Sequence, residues 1–115
     1  MNKEFIRSLG SMTPSELGPV LDDEVEWVEW VDGVPASGAI TRGREAFIKN
    51  YGDDELHGQT SRMIEEGNVV VEEGSVLVQK KDGRSFRVQY CNIYEVKEGK
   101  VKRKSSYGAL IKDSA

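Results

Sequence analysis

The chain is poor in the residues on which much enzyme chemistry depends. It has one cysteine, Cys91, and one histidine, His57, among 115 residues. A lone cysteine excludes an intramolecular disulfide, and such a chain needs no oxidising compartment. One His and one Cys leave little material for His/Cys zinc sites or for Ser-His-Asp and Cys-His-Asn constellations. No metal and no cofactor are expected. Long apolar runs are missing too. The aliphatic stretches, such as Val69-Val70-Val71, are only three residues long, far short of a membrane span. The opening Met-Asn-Lys-Glu-Phe-Ile-Arg has no apolar signal-peptide core, so the expected location is the cytoplasm, with no membrane partner. Positive charge is not in excess. The net charge is -4, and nucleic acid is not expected as a partner, because phosphate binding needs a clustered positive field. The basic run Lys97, Lys100, Lys102, Arg103 and Lys104, broken by Glu98 and preceded by Glu95, reads as a solvated hairpin.

What is present suffices for one domain spanning residues 1–115. The apolar share of 37% lies in the globular range once Gly is added, and a chain of this length can bury a proper core without staples.

Phe5, Ile6 and Leu9 recur at helical spacing, and Gly10 stops that first helix. Thr13-Pro14-Ser15-Glu16 is a capping box with Pro at the first helical position. It predicts a second short helix to about Leu21. Glu24 to Val31 is β-branched and aromatic and reads as a strand. Its alternation is imperfect: Val25 and Trp27 share one face, Val28 and Trp30 the other. The strand must either bulge or bury Glu29. Asp32 to Gly38 has the chemistry of a loop, and Gly43 to Tyr51 that of a third helix. The remainder reads as four strands: Gln59–Glu65, Val69–Lys80 with a bulge near Glu72-Glu73-Gly74, Ser85–Val96 and Val101–Ile111. Gly67-Asn68, Asp82-Gly83 and Glu98-Gly99 supply the turns. Helices segregated from a meander imply an α+β fold.

Several stretches carry a family likeness. They are Leu21 to Trp27, leading from the second helix into the first strand; Gly38 to Phe47, entering the third helix; Gly67 to Glu72, a central hairpin; and Tyr90 through Glu98-Gly99-Lys100-Val101 to Tyr107, a closing hairpin. In this order they resemble the SnoaL-like and ketosteroid-isomerase-like branch of the nuclear-transport-factor-two-like superfamily, over nearly the whole chain. The resemblance implies a cone-shaped, curved antiparallel sheet with about three helices from the N-terminal half packed on its concave face. It also implies a pocket between them and a homodimer through the outer sheet face. It leaves the reaction open. One expectation is a protein that binds a small apolar or aromatic molecule, as a cofactor-independent acid–base isomerase or cyclase. The other is a non-catalytic ligand-binding or homodimerisation domain with a filled cavity.

Alternation nominates the pocket residues. On Ser85–Val96, the face carrying Val88, Tyr90, Asn92, Tyr94 and Val96 is the more apolar and is expected to look inward. Asn92 stands on it between two tyrosines. A buried amide needs partners, either a ligand or nearby backbone and water. Tyr90 and Tyr94 either steady a ligand oxygen or fill the core. The resemblance implies an acid on the last strand, but Lys104 to Ala109 has none, and Ser106 or Gly108 stands in its place. It likewise implies a base on the first strand, where Trp27 stands. Glu29, two residues on, is a candidate proton carrier if it faces an apolar pocket, and a solvated strand glutamate if a bulge turns it out. His57, just before the strand Gln59–Glu65, is either an acid–base group or an idle loop residue. The ligand-binding set is therefore Trp27, Tyr90, Asn92, Tyr94 and Ser106. Cys91 falls on the outer face, as a small apolar residue at a subunit contact.

Overall fold

The computed structural model describes residues 2–32, 34–52, 55–79 and 82–111, giving only the backbone path at 34–39, 50–52 and 55–57. Helix α1 (Asn2–Leu9) is followed by α2 (Pro14–Leu17), a 3-10 turn (Gly18–Val20), β1 (Leu21–Val31), β2 (Val34–Arg42) and α3 (Arg44–Gly52). Four long strands follow: β3 (Glu55–Glu66), β4 (Val69–Gln79), β5 (Ser85–Lys97) and β6 (Lys100–Leu110). The six strands form one sheet in the order β2-β1-β6-β5-β4-β3. Among the described residues no helix is long and apolar enough to cross a membrane.

Local chemistry explains most of the boundaries. The Thr13 hydroxyl accepts from the Glu16 backbone N–H at 3.3 Å. The Thr13 N–H donates to the Glu16 carboxylate at 3.0 Å. The capping box is thus complete. The Thr13 N–H first, and then the Thr13 hydroxyl donating to the carboxylate at 3.0 Å, hold the Glu16 carboxyl below its usual range. α2 stops at Leu17 rather than near Leu21, because Pro19 supplies no backbone N–H and the chain tightens into a 3-10 turn. The β5–β6 turn places Glu98 and Gly99 at φ 55° and 74°, the left-handed pair that a two-residue hairpin requires.

Two features of the sheet depart from the local reading. The segment from Val34, read as a loop to Gly38, is a strand. It pairs with β1 at both ends and breaks register in between, four residues of β2 standing against one of β1. An edge strand tolerates Pro35 because one of its edges needs no donor. The sheet is also mixed. The meander β3-β4-β5-β6 is antiparallel, but β1 runs parallel to β6. That pairing closes the sheet between segments some 80 residues apart, and no turn signal encodes it.

The bulge expected on β4 lies on its neighbour. β4 pairs β5 without a break, while on β3 the residue between Thr60 and Arg62 is left over. Gly74 has a different purpose. A Cβ there would lie 2.4 Å from the Gln59 carbonyl oxygen and 2.7 Å from the Tyr90 hydroxyl, so glycine lets the Tyr90 ring lie close over the sheet.

The helices cover one face and one end. Ile6, Leu9, Leu17 and Phe47 pack with Leu21, Val25, Val70, Val96 and Val101 in a continuous core. Leu21, Val25, Val70 and Val101 are wholly buried. α1 is tied down where the Lys3 N–H donates to the Glu65 carboxylate at 3.0 Å.

Candidate functional site

Beyond this core the helices no longer cover the sheet. A cavity of about 460 Å³ opens on the same inner face, within the range of small-molecule sites. Its floor is built by strand register. Residues directly opposite one another point to the same face, so side chains line up in rows across the strands. Glu29, Ser106, Asn92 and Glu72 are successive partners on β1, β6, β5 and β4. Trp27, Lys104, Tyr94 and Val70 form the next row toward the core. Val31, Gly108, Tyr90, Gly74 and Thr60 form the row toward the opening.

The even-numbered side chains of β5 do face inward. Val88, Tyr94 and Val96 are buried, while Arg87, Gln89 and Glu95 are exposed. Trp27, Glu29, Tyr90, Asn92, Tyr94 and Ser106 all line the cavity. Glu29 looks inward because β1 carries no bulge against β6 from Glu26 to Val31. The irregularity that its broken alternation required is taken up by β2. Trp27, with its ring centroid 4.9 Å from that of Phe47, joins core and cavity. Its indole N–H donates to the Ser106 hydroxyl at 2.9 Å. His57 stands opposite Leu77 in the β3–β4 pairing, and its side chain lies outside the described residues. Cys91 is half-buried on the outer face, opposite Tyr107 and Glu73.

Two charged residues complete the site. Glu72 is a hub. One carboxylate oxygen accepts from the Asn92 amide at 3.2 Å and from the Tyr94 hydroxyl at 3.4 Å. The other accepts from the Thr60 hydroxyl at 2.9 Å. Asn92 is therefore partnered by an acid, and not by backbone or water alone. The Tyr90 hydroxyl lies 3.4 Å from that of Thr60. Burial pushes Tyr90 above the ordinary tyrosine value; the Thr60 hydrogen bond works against this, and the Glu72 charge adds to it. Tyr90 thus remains a protonated donor at neutral pH.

The second is Lys104, which the basic run suggested was solvated. It is 6% exposed. The register slip between β5 and β6 leaves Lys102 over, so that Val101 and Lys104 both face inward. Lys102 reaches Asp22 at 2.8 Å instead. The Lys104 ammonium lies 4.0 Å from the centroid of the Trp27 ring and 5.6 Å from that of Tyr94, a cation–π arrangement. Burial lowers its pKa to about 8, against the opposing pull of Glu29 and Glu72. Among the described residues no group of three or more His, Cys, Asp or Glu is placed to hold a metal ion.

Glu72 and Lys104 were legible in part. Counting β4 by twos from Val70 puts Glu72 and Gly74 on the inner face. Counting β6 by twos puts Lys104 with Ser106 and Gly108. Nothing local says that this face is the covered one.

The fold recurs in solved structures. A candidate SnoaL-like polyketide cyclase from Mesorhizobium loti matches with a TM-score of 0.72 at 20% identity, over 91% of this chain and 93% of that one. An LEH-like epoxide hydrolase from M. tuberculosis matches at 0.71 and 14% identity, over 92% and 77%. A protein of ketosteroid isomerase-like fold from Catenulispora acidiphila, in complex with trimethylamine, matches at 0.70 and 18% identity, over 90% and 84%. At such identities the likeness is one of fold. No curated protein matches the chain. A family model described as the SnoaL-like domain matches residues 3–104, and with that the rows of side chains along the cleft have a family: the chain belongs to the SnoaL-like domain family.

Proposed function

We propose that the chain is a small-molecule pocket protein whose cavity takes a compact apolar or aromatic ligand carrying one oxygen function. The observation that carries this reading is a polar row at the bottom of an apolar cleft. Glu29, Ser106, Asn92 and Glu72 lie side by side there, with Lys104 and Tyr94 in the adjoining row. Apolar walls bind the body of such a ligand, and a few convergent polar groups orient it. An open cavity of about 460 Å³ favours a ligand-binding domain over a dimerisation module whose cavity is filled. Two carboxylates that line it, Glu29 and Glu72, suit cofactor-independent acid–base chemistry of the isomerase or cyclase kind, with Tyr90 as a donor to a developing oxygen anion. Thermal unfolding with a panel of phenols and aromatic ketones tests the reading, since a ligand of the native state raises the midpoint. A rise for the ketones that Val76→Trp abolishes by filling the cleft supports it. No rise across the panel sinks it.

The outer sheet face supports a second copy of the chain as partner. Ile64, Val71, Ile93, Ser105, Val28 and Ile40 form a nearly apolar row across all six strands. Ile40 and Ile64 are 45% and 49% exposed, and a two-fold pairing would cover them. Sedimentation should show a dimer that Ile64→Lys dissociates. A wild-type monomer at micromolar concentration removes this part.

A further inference from the structure

A lysine is costly inside a protein, and Lys104 is almost entirely inside. Its neighbours on the row are Trp27 and Tyr94, and its ammonium lies over both rings. The position also borders the cavity, so an entering molecule meets this amine. We infer that Lys104 is a carbonyl-capturing lysine, which forms an imine with an aldehyde or ketone attached to an apolar or aromatic body. The inference rests on the pocket reading and names the ligand class within it.

The chemistry balances without any other reactant. The neutral amine's lone pair attacks the carbonyl carbon, and the C=O π pair moves to oxygen, which takes a proton. The carbinolamine then loses that oxygen as water while the nitrogen pair closes the C=N bond. Overall, ammonium plus carbonyl compound gives protonated imine plus water, so the charge at this position stays at plus one. The groups around it suit this conservation. Glu29 on β1 and Glu72 on β4 both act on Lys104 electrostatically. They can hold the iminium as they hold the ammonium, and they can carry the protons the two steps exchange. The rings of Trp27 and Tyr94 accept either cation. Tyr90 stays protonated, and Arg7 of α1 lies at the cavity wall. Glu65 of β3 is engaged by the Lys3 N–H.

Part of the amine is also unprotonated. With a pKa of about 8, about a tenth of it is neutral at pH 7, several hundred times the fraction for an ordinary lysine. An iminium so placed would acidify the adjacent C–H for a carboxylate to remove. That gives an enamine where an isomerase of the pocket type would otherwise form an enolate.

The test treats the full-length protein with benzaldehyde and sodium cyanoborohydride at pH 7, followed by intact mass and peptide mapping. One benzyl group on Lys104, at least tenfold ahead of any other lysine, supports the inference. So does a labelling rate that rises with pH to a midpoint near 8. Lys104→Arg keeps the charge and must lose the label; Lys104→Met guards against a folding artefact in Arg. Even labelling of the surface lysines overturns the inference. So does absence of label while benzyl alcohol or acetophenone still raises the unfolding midpoint, a result that leaves the pocket standing. If no aromatic compound binds or labels, both readings fall.

Discussion

The two halves of the inner sheet face are made by the same strands and behave oppositely. Toward the β5–β6 turn, Leu21, Val25, Val70, Val96 and Val101 meet Ile6, Leu9, Leu17 and Phe47 and leave no room. Two to five residues along the same strands, Glu29, Ser106, Asn92 and Glu72 face an open cleft. The row of Trp27, Lys104, Tyr94 and Val70 divides them. One end of each strand supplies stability, and the other spends part of it on buried polar groups. A folded domain can thus keep a charged site on a sheet without a separate module for it.

The comparison predicts where mutation destabilises and where it does the reverse. The largest effect should come from the closed end. Phe47 is 2% exposed and packs on Trp27. Phe47→Ala should cost about 3–5 kcal/mol in denaturant unfolding. A loss below 1 kcal/mol would mean that this end is not the stabilising one.

At the dividing row the sign should change. The native Lys104 holds its proton only to a pH of about 8, and the unfolded chain to an ordinary lysine's 10.5. Between those values the unfolded state binds more protons, so this group makes stability rise with pH across that window. Below it the full penalty, about 3 kcal/mol, applies. Lys104→Met removes the penalty and forfeits a cation–π contact worth about 1–2 kcal/mol. The variant should therefore be more stable than wild type by about 1–2 kcal/mol at pH 7, and the advantage should fall below about 1 kcal/mol by pH 10. Denaturant midpoints at both pH values check this, and an advantage that did not change with pH would contradict it.

On the open side, backbone spacing matters more than apolar area. A Cβ at Gly108 would meet a Val88 methyl at 2.7 Å, whereas one at Gly74 would meet the Gln59 carbonyl oxygen at 2.4 Å. Both Gly→Ala variants should lose about 1–3 kcal/mol. Val88→Ala should restore part of the Gly108 variant's melting temperature, but no single side-chain change should restore that of Gly74→Ala, whose obstacle is backbone.

The smallest effect sharpens the electrostatics. Glu72→Gln keeps the shape of the Asn92, Tyr94 and Thr60 contacts and removes a charge that supports the Lys104 ammonium. Stability should change by less than about 1 kcal/mol. The midpoint of Lys104 titration, followed by NMR of its side chain, should move to lower pH. An upward shift would show that Glu72 does not act on it.

Local chemistry by itself determined much of this protein. The Thr13–Glu16 box starts α2, the Glu98-Gly99 pair turns β5 into β6, and alternation on β5 selects its inward face. Each of these depends on residues within a few positions of one another. The segment from Val34 has the composition of a loop because its Pro and Gly are turn residues, and only pairing with β1 makes it an edge strand. Glu29 was ambiguous for a similar reason, since whether β1 or β2 takes the irregularity depends on β6 holding β1 in register. Glu72 and Lys104 do not stand out in the sequence, because a charged residue on a strand is solvated unless something covers it. What covers a face is decided by strands and helices far apart in sequence. The parallel β1–β6 contact brings Trp27 to Lys104, and the β4–β5 register brings Glu72 to Asn92. Burial is a property of the assembled sheet, and the buried charge of the site came into view only with it.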